Sequence, residues 1–460
     1  MKNSAIILAA GEGTRMKSKK PKAMSEVLFK PMLDWVMSAL NNAGIEDICI
    51  VTGYAAEYIE EHVSGKAETV RQTERKGTGH AVMQAVEFIK KNKDGNVVIL
   101  NGDAPFIDAK TISGALEYHA EKNNDVTVVA ALVSDPFGYG RIVRDADGDI
   151  KAIVEQANAD EETKLINEVN SGVYCFAAEI LESALSKIVP DKVKGEYYLT
   201  DAISVILGEN GKAGVFNAGN EKTVLGANTR SQLSRLNEIA RMEIIEKMMD
   251  NGVDIPCTDG IMIGPDCTIG CDTVILPGTI ICGDVTIGEG CVIGPNSYVE
   301  NAEIGNNVRF NNGQIRSAKI LDNANIGPFV QIRPDSVIGD GAHLGNFVEV
   351  KNSTIGANTS VSHLTYVGDS DVGSGVNFGC GVVTVNFNGK TKNRTVIKDR
   401  AFIGCNTNLV APVTVGENSY TAAGSTITQD VPDNTLAIAR ERQTNKEGWV
   451  KEHQPYRKKV

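Results

Sequence analysis

Residues 263–299 read IGPDCTIGCDTVILPGTIICGDVTIGEGCVIGPNSYV, and the spacing of aliphatic residues along this stretch decides the fold of the second half of the chain. Ile263, Ile269, Ile275, Ile281, Ile287, Ile293 and Val299 recur every six positions, and Ile326, Ile332, Ile338, Leu344 and Val350 repeat the run further on. A helix has a period of 3.6 and a half-buried strand a period of two, so neither accommodates six. A hexapeptide repeat suits a parallel β-helix, in which each turn stacks its aliphatic residue on the one below and the stack becomes a continuous core. The position four residues after each aliphatic must then be small, and it holds Cys267, Thr273, Thr279, Val285, Cys291 and Ser297. The period resumes at Ile403, Leu409 and Val415 after a break around residues 385–398, which predicts a loop thrown out of the coil. Loops on a rigid scaffold often carry function. The same register weighs against reading Cys267, Cys271, Cys282 and Cys291 as a zinc cluster, because two of them fill internal slots and their spacing matches no standard site.

Toward the N-terminus, a helix is expected from near Asn228, with Leu233, Leu236, Ala240 and Ile244 on one face and a stop at Asn251 and Gly252. It reads as a connector. From residue 4 to about 225, short apolar runs at 5–8, 48–51, 97–100 and 126–133 alternate with helical stretches, which predicts a mostly parallel sheet with helices packed on it. The expected organisation is an α/β unit over 1–227 with a Rossmann-like mixed sheet, a linker helix over 228–252, a left-handed parallel β-helix over 253–437 and a tail over 438–460. A length of 460 residues supports two or three such cores.

The formal charge of -12 and the isoelectric point near 5.2 repel a phosphate backbone at long range, which argues against nucleic acid or an anionic membrane as the main partner. Small anionic ligands remain compatible with a local basic pocket. No stretch approaches a membrane span and the first residues lack the apolar core of a signal peptide, so a cytoplasmic location is expected. The nine cysteines are odd in number and irregularly spaced, which points to reduced thiols.

Residues 8–16 read LAAGEGTRM, a strand running into a glycine-bearing loop. Gly11 and Gly13 let backbone N–H groups close on a phosphate or a base edge. Neither the Lys-Ser/Thr pair of a Walker loop nor the third glycine of a dinucleotide fingerprint is present, and a lone Gly-x-Gly after a strand is more often a turn. Arg15 and Lys22 follow closely, two cations able to hold a triphosphate and neutralise charge in phosphoryl transfer. The run 97–100 leads to Asn101-Gly102-Asp103, placing a carboxylate just past a strand, where it is either a turn former or an oxygen ligand for Mg²⁺.

Taken in order, LAAGEGTRM, Lys22, QTERKGTGHA at 72–81, NGDAP at 101–105, GYGRI at 138–142, IVE at 153–155, VNSGVY at 169–174 and GEYYLTD at 195–201 resemble a sugar-1-phosphate uridylyltransferase. Continued through the coil, essentially the whole chain resembles the family of bifunctional N-acetylglucosamine-1-phosphate uridyltransferases and glucosamine-1-phosphate acetyltransferases. The resemblance implies that Gly11, Gly13, Gln72, Gly77 and Thr78 hold uracil and ribose, with Leu8 in the same substrate-binding set. Arg15 and Lys22 would take the phosphates, and Gly140, Glu155, Asn170 and Thr200 the sugar. Asp103 and Asn228 would hold Mg²⁺; Asn228 also fits a helix N-cap, and the two roles are compatible if its side chain faces the cleft. The sugar phosphate would attack the α-phosphorus of UTP in line, which needs positioning and charge neutralisation and no protein nucleophile. His80 is accordingly read as structural.

Amide formation from a thioester requires a neutral amine, and a histidine suits removal of the proton. The segment SHLTYVGD places His363 at the family's general base. Arg333 and Lys351, two cations on neighbouring turns, match its phosphate grip, and Tyr366, Asn377 and Asn386 its sugar and amine contacts. Acetyl-CoA would lie near Cys380, Cys405, Ala423 and Arg440. The family forms trimers whose neighbouring coils share each site, makes UDP-N-acetylglucosamine for peptidoglycan, and is bacterial. Two departures stand out: Phe387 where the family commonly has Tyr, and Cys405 where it has Ser, each a loss of hydrogen-bonding capacity. The alternative is a single-function nucleotidyltransferase whose coil is structural or regulatory.

Overall fold

The computed structural model describes residues 2–191 and 195–454; the last six positions of the expected tail, 455–460, lie outside the described residues. The chain divides into two compact units, Met1–Ala240 and Arg241–Val460, and the division falls inside one helix, Arg230–Asp250.

In the first unit the strands that form the sheet are β1 (Asn3–Leu8), β2 (Ile48–Thr52), β3 (Glu68–Arg71), β4 (Asn96–Asn101), β5 (Val126–Leu132), β6 (Arg141–Arg144), β7 (Ile150–Val154), β8 (Glu168–Ala177) and β9 (Ala213–Asn217). They lie in the order β9-β5-β8-β4-β1-β2-β3, with β6 and β7 attached as a hairpin beside β8. β3, β2, β1 and β4 are mutually parallel, as are β5 and β9, but β8 runs antiparallel to both of its neighbours. The sheet is therefore mixed. Side-chain alternation explains why helices cover both faces. Ile6 points into a core built with Val82, Phe88 and Leu181, while its neighbours Ala5 and Ile7 enter the opposite core with Leu33, Leu40 and Ile112. The carboxyl ends of β1, β2 and β4 consequently open along one edge, where parallel sheets present their loops to ligands.

The second unit is a left-handed β-helix. Its strands sort into three parallel sheets of 10, 9 and 10 strands, each taking every third strand of the coil up to the last turn, so one turn visits three faces. The aliphatic ladder forms the core: Ile275, Ile281, Ile293, Val299, Ile332, Ile338, Leu344 and Val350 are all fully buried, and Ile269, in the first turn, is only partly so. The slots Cys267, Thr273, Thr279, Val285, Cys291 and Ser297 are buried as well. Cys267 and Cys291 point inward, where the Cys291 thiol donates to Gly305 O at 3.1 Å.

From Ile326 onward the inward residues run Ile326, Ile332, Ile338; Leu344, Val350, Ile355; Val361, Val367, Val372; Phe378, Thr384, Ile397; Ile403, Leu409, Val415. The step from the first residue of each triplet to the second, and from the third to the next triplet, is always six residues, whereas the third corner, between the second and third residues, takes five, six or, between Thr384 and Ile397, thirteen. That long step is the projecting loop. It is narrower than the hexapeptide break suggests, occupying 386–394, because Thr395–Ile397 already pairs in the coil with Ser370–Val372.

Candidate active sites

The edge of the first unit's sheet carries a cleft of about 680 Å³. Of the residues expected from the sequence, Leu8, Gly11, Gly13, Arg15, Lys22, Gln72, Gly77, Thr78, Asp103 and Asn228 line it, contributed by the loops after β1, β3 and β4 and by the start of the long helix. Gly13 is in the left-handed region (φ 63°), and a side chain there would strike Lys22 Cβ at 2.9 Å, so the loop can close only on glycine. Lys22 Nζ donates to Asn228 Oδ1 at 2.6 Å and pairs with Asp103 Oδ2. Two oxygen donors separated by more than a hundred residues thus converge on one cation.

The cap of the long helix explains why Asn228 is available. Thr229 Oγ1 accepts from the Gln232 N–H at 3.2 Å, while Gln232 Oε1 accepts from the Thr229 N–H at 3.1 Å and the Asn228 N–H at 2.8 Å. This is a capping box. The cap expected of Asn228 belongs to Thr229, which leaves the Asn228 carboxamide for the cleft. Arg230 Nε donates to Met16 O at 3.2 Å and ties the helix start to the phosphate-side loop.

His80 Nδ1 lies 3.0 Å from Gln72 Nε2, which also donates to Gly77 O at 3.1 Å, so the imidazole fixes the Gln72 amide. Thr78 Oγ1 accepts from the Leu199 N–H at 3.1 Å, bringing the segment before Thr200 against the cleft, which Glu196 lines. Gly140, Glu155, Asn170 and Thr200 are not part of the cleft lining. Gly140, Glu155 and Asn170 instead form a group of their own on the β6-β7-β8 edge: Gly140 O accepts from the Asn170 N–H at 2.8 Å, and a side chain on Gly140 would meet Glu155 Oε1 at 3.4 Å. A bulge in β8 between Asn170 and Val173 brings Gly172 against Asn101, a cleft residue, so the group adjoins the cleft. Arg75 also lines the cleft, paired with Glu12; nothing in the sequence singled it out.

On the coil, Asn346 is in register with His363. Ser360 pairs with Asn377 and Tyr366 with Val383, so His363 stands over Cys380; Ile403 pairs with Thr421 and Asn408 with Thr426, so Cys405 stands over Ala423. His363, Cys380, Cys405 and Ala423 therefore occupy successive seats on one corner, with neighbouring turns about 4.8 Å apart. Arg440 lies beside this file, its Cδ 3.9 Å from where a side chain on Gly424 would begin. His363, Cys405 and Ala423 are exposed, and Asn377 flanks the file one strand away.

The strand Tyr366–Gly368 leads from this corner across one face to the next, a span of about 10 Å for three residues. At its far end a cavity of about 530 Å³ is lined by Arg333, Lys351, Asn352, Asp369, Lys392 and Arg394 among others. Asp369, only 4% exposed, accepts from Asn352 Nδ2 and from Asn386 Nδ2, and Asn386 Nδ2 also lies 3.3 Å from the Tyr366 hydroxyl. Gly368 makes room: a side chain there would collide with both Tyr366 Oη and Asn386 Nδ2. Arg333 Nη1 donates to Glu349 Oε1 at 2.8 Å. The Lys392 amine is held below the ordinary lysine range by its contact with the Lys351 amine and the repulsion between the two charges. Crowded cations of this kind call for an anion. Lys392 and Arg394 come from the projecting loop, which Arg394 pins to the coil through Asp371 (Nε to Oδ2, 2.8 Å).

The two units define a nucleotide-transferring α/β domain joined to a hexapeptide-repeat transferase coil. Residues 4–221 match the nucleotidyl transferase family, and residues 266–301, 317–352 and 394–429 match the bacterial transferase hexapeptide repeat. The bifunctional protein GlmU of Acetivibrio thermocellus is 48% identical over 446 residues, covering 97% of this chain and 96% of the relative. Those of Caldanaerobacter subterraneus (48%, 97% of each chain) and Clostridioides difficile (45%, 98% of each chain) are similar over the same extent. The chain belongs to the GlmU family of bifunctional proteins.

Proposed function

We propose that the chain makes UDP-N-acetylglucosamine in two steps: acetyl transfer from acetyl-CoA to glucosamine 1-phosphate on the coil, then uridylyl transfer from UTP to N-acetylglucosamine 1-phosphate in the α/β unit. The observation that carries this reading is the presence, in one chain, of a cation-holding cleft at a sheet edge and a coil corner that sets a histidine in file with Cys380, Cys405 and Ala423. The working division is 1–227 for uridylyl transfer, 228–252 as linker, 253–437 for acetyl transfer and 438–460 as tail.

In the first unit, a phosphate oxygen of the sugar phosphate attacks the α-phosphorus of UTP and the bond to pyrophosphate breaks. Leu8, Gly11, Gly13, Gln72, Gly77 and Thr78 hold the nucleoside, and Arg15 and Lys22 neutralise charge on the phosphates. Gly140, Glu155 and Asn170 take the sugar from the adjoining edge, with Thr200 contributing from the segment that Thr78 holds against the cleft. Asp103 and Asn228 fit a divalent ion, since their oxygens already share one cation, the Lys22 ammonium. They would hold Mg²⁺, whose charge, when bound, supplements that of the basic side chains. On the coil, Arg333 and Lys351 grip the phosphate, with Tyr366, Asn377 and Asn386 placing the amino sugar. His363 takes a proton from the amine as nitrogen attacks the thioester carbonyl, and CoA leaves from the groove along Cys380, Cys405, Ala423 and Arg440.

We place the enzyme in the cytoplasm, where its nine free cysteines would stay reduced, and read it as a homotrimer. An apolar strip supports the latter: Phe329, Phe347 and Leu364 follow one another at a corner, 54%, 57% and 59% exposed, with the two phenyl rings stacked 5.3 Å apart. The partners are otherwise small molecules, not nucleic acid or membrane; among the described residues no helix is long and apolar enough to cross a bilayer.

Omitting each substrate in turn tests both activities. With glucosamine 1-phosphate and acetyl-CoA, CoA release is expected, reduced about 10²- to 10⁴-fold in His363→Ala; release no greater than that control would instead favour a single-function enzyme. With N-acetylglucosamine 1-phosphate, UTP and Mg²⁺, pyrophosphate release is expected, reduced about 10²- to 10³-fold in Asp103→Ala. Release that survives both Asp103→Ala and Asn228→Ala refutes the metal assignment.

A further inference from the structure

Cys380 and Cys405 occupy adjacent seats in the His363 file. The register between their turns is unbroken on both sides, Phe378 pairing with Ile403 and Val383 with Asn408, each 25 positions apart, as the two cysteines are. The turns touch at this point: the Asn406 N–H donates to Cys380 O at 2.8 Å, and a side chain on Gly379 would meet Cys405 N at 2.4 Å. In-register neighbours on parallel strands stand about 4.8 Å apart, inside the Cα separation of roughly 4.4–6.8 Å that a disulfide bridges. Both thiols are free and reachable, Cys380 half-buried and Cys405 exposed, whereas Cys49, Cys175, Cys267, Cys282 and Cys291 are buried. Acetyl transfer by a histidine base uses neither sulfur as a reacting atom.

We propose that Cys380 and Cys405 form a dithiol modification site that a low-molecular-weight disulfide converts to a cross-link, switching off acetyl transfer while leaving uridylyl transfer running. The exposed Cys405 thiolate attacks the small disulfide and expels one thiol, leaving a mixed disulfide on Cys405. The Cys380 thiolate then attacks the Cys405 sulfur and expels the second thiol. Two cysteine thiols are oxidised by two electrons, the small disulfide is reduced to two thiols, and the two cysteine protons pass to them. A cross-link pulls the two seats together and covers the groove that a thioester must enter. That acetyl transfer is the activity lost rests on the reading of this corner as the acetyl-CoA groove; the cross-link itself does not.

The test treats the full-length protein with oxidised glutathione, maps disulfide-linked peptides by mass spectrometry, and follows both activities before and after dithiothreitol. A linked pair of peptides carrying Cys380 and Cys405 is expected, short of two hydrogens. Acetyl transfer should fall by roughly 10- to 100-fold, the scale on which a misplacement of about 1 Å acts, and recover on reduction, with pyrophosphate release unchanged throughout. Prior saturation with acetyl-CoA should slow the linkage. In Cys380→Ala and Cys405→Ser, each measured against its own untreated rate, the oxidant should leave no dithiothreitol-reversible loss beyond that of a mixed disulfide on the remaining thiol. Absence of the linked peptide overturns the dithiol site. A linked peptide with undiminished acetyl transfer overturns the placement of acetyl-CoA along this corner.

Discussion

Lys351 and Lys392 set two amines side by side at the mouth of the cation-lined cavity, and the repulsion that lowers Lys392 toward its neutral form is relieved when a phosphate dianion bridges them. Charge-assisted hydrogen bonds to an anion are worth about 1.5–3 kcal/mol, so Lys392→Ala is expected to raise KM for glucosamine 1-phosphate about tenfold or more with little change in kcat. Steady-state acetyl transfer checks this, with Lys390→Ala, a neighbour in the loop that does not line the cavity, as the control. Arg333 and Lys351 were legible in the sequence because they sit one coil turn apart, a distance the hexapeptide count supplies. Lys392 and Arg394 were not, since only the folded path of the loop returns them to that turn. Asp103 and Asn228 were paired through family resemblance; no local pattern relates residues so distant, and their shared contact with Lys22 is visible only in three dimensions.

The helix Ala109–Lys122 packs His119 against β5, where Nδ1 lies 3.0 Å from Thr127 Oγ1 and burial drives the imidazole below its ordinary value of 6.5. The folded chain favours the neutral ring, and the unfolded chain takes up the proton first. His119 therefore costs nothing above pH 6.5, and stability is lost as pH falls from there toward the lower folded value. Urea melts at pH 7.5 and 5.5 should show a fall in stability that is smaller in His119→Gln; an equal fall in both proteins would remove His119 from the account. Among the elements, the coil was legible because six fits no other structure, and the parallel strands because their apolar runs are continuous. β8 was not read as a strand. Its Ser171-Gly172 bulge interrupts the alternation that would have revealed it. The loop seemed longer in sequence than in space because Thr395–Ile397 lacks the hexapeptide spacing on its N-terminal side while still pairing in the coil.

For the whole molecule, the exposed strip on the coil offers a way to separate assembly from folding. Phe329 and Phe347 both adopt φ near 60°, a conformation that costs a bulky residue about 1–2 kcal/mol and an asparagine much less. Replacing both with asparagine relieves that strain and should leave the chain folded, yet dissociate the homotrimer proposed above in sedimentation velocity. Acetyl transfer should fall with dissociation, and uridylyl transfer, confined to the other unit, should persist. A trimer that survives the double substitution places the interface elsewhere. The unequal corners of the coil have a consequence for how such a chain can be altered. At the His363 corner the step from one inward residue to the next never departs from six after Ile326, so a single extra residue there would push every later group out of its seat. The third corner already varies from five to thirteen. A tag or a sensor module spliced in at that bend would hang off the side of the spiral, and the file that begins at His363 would not lose count.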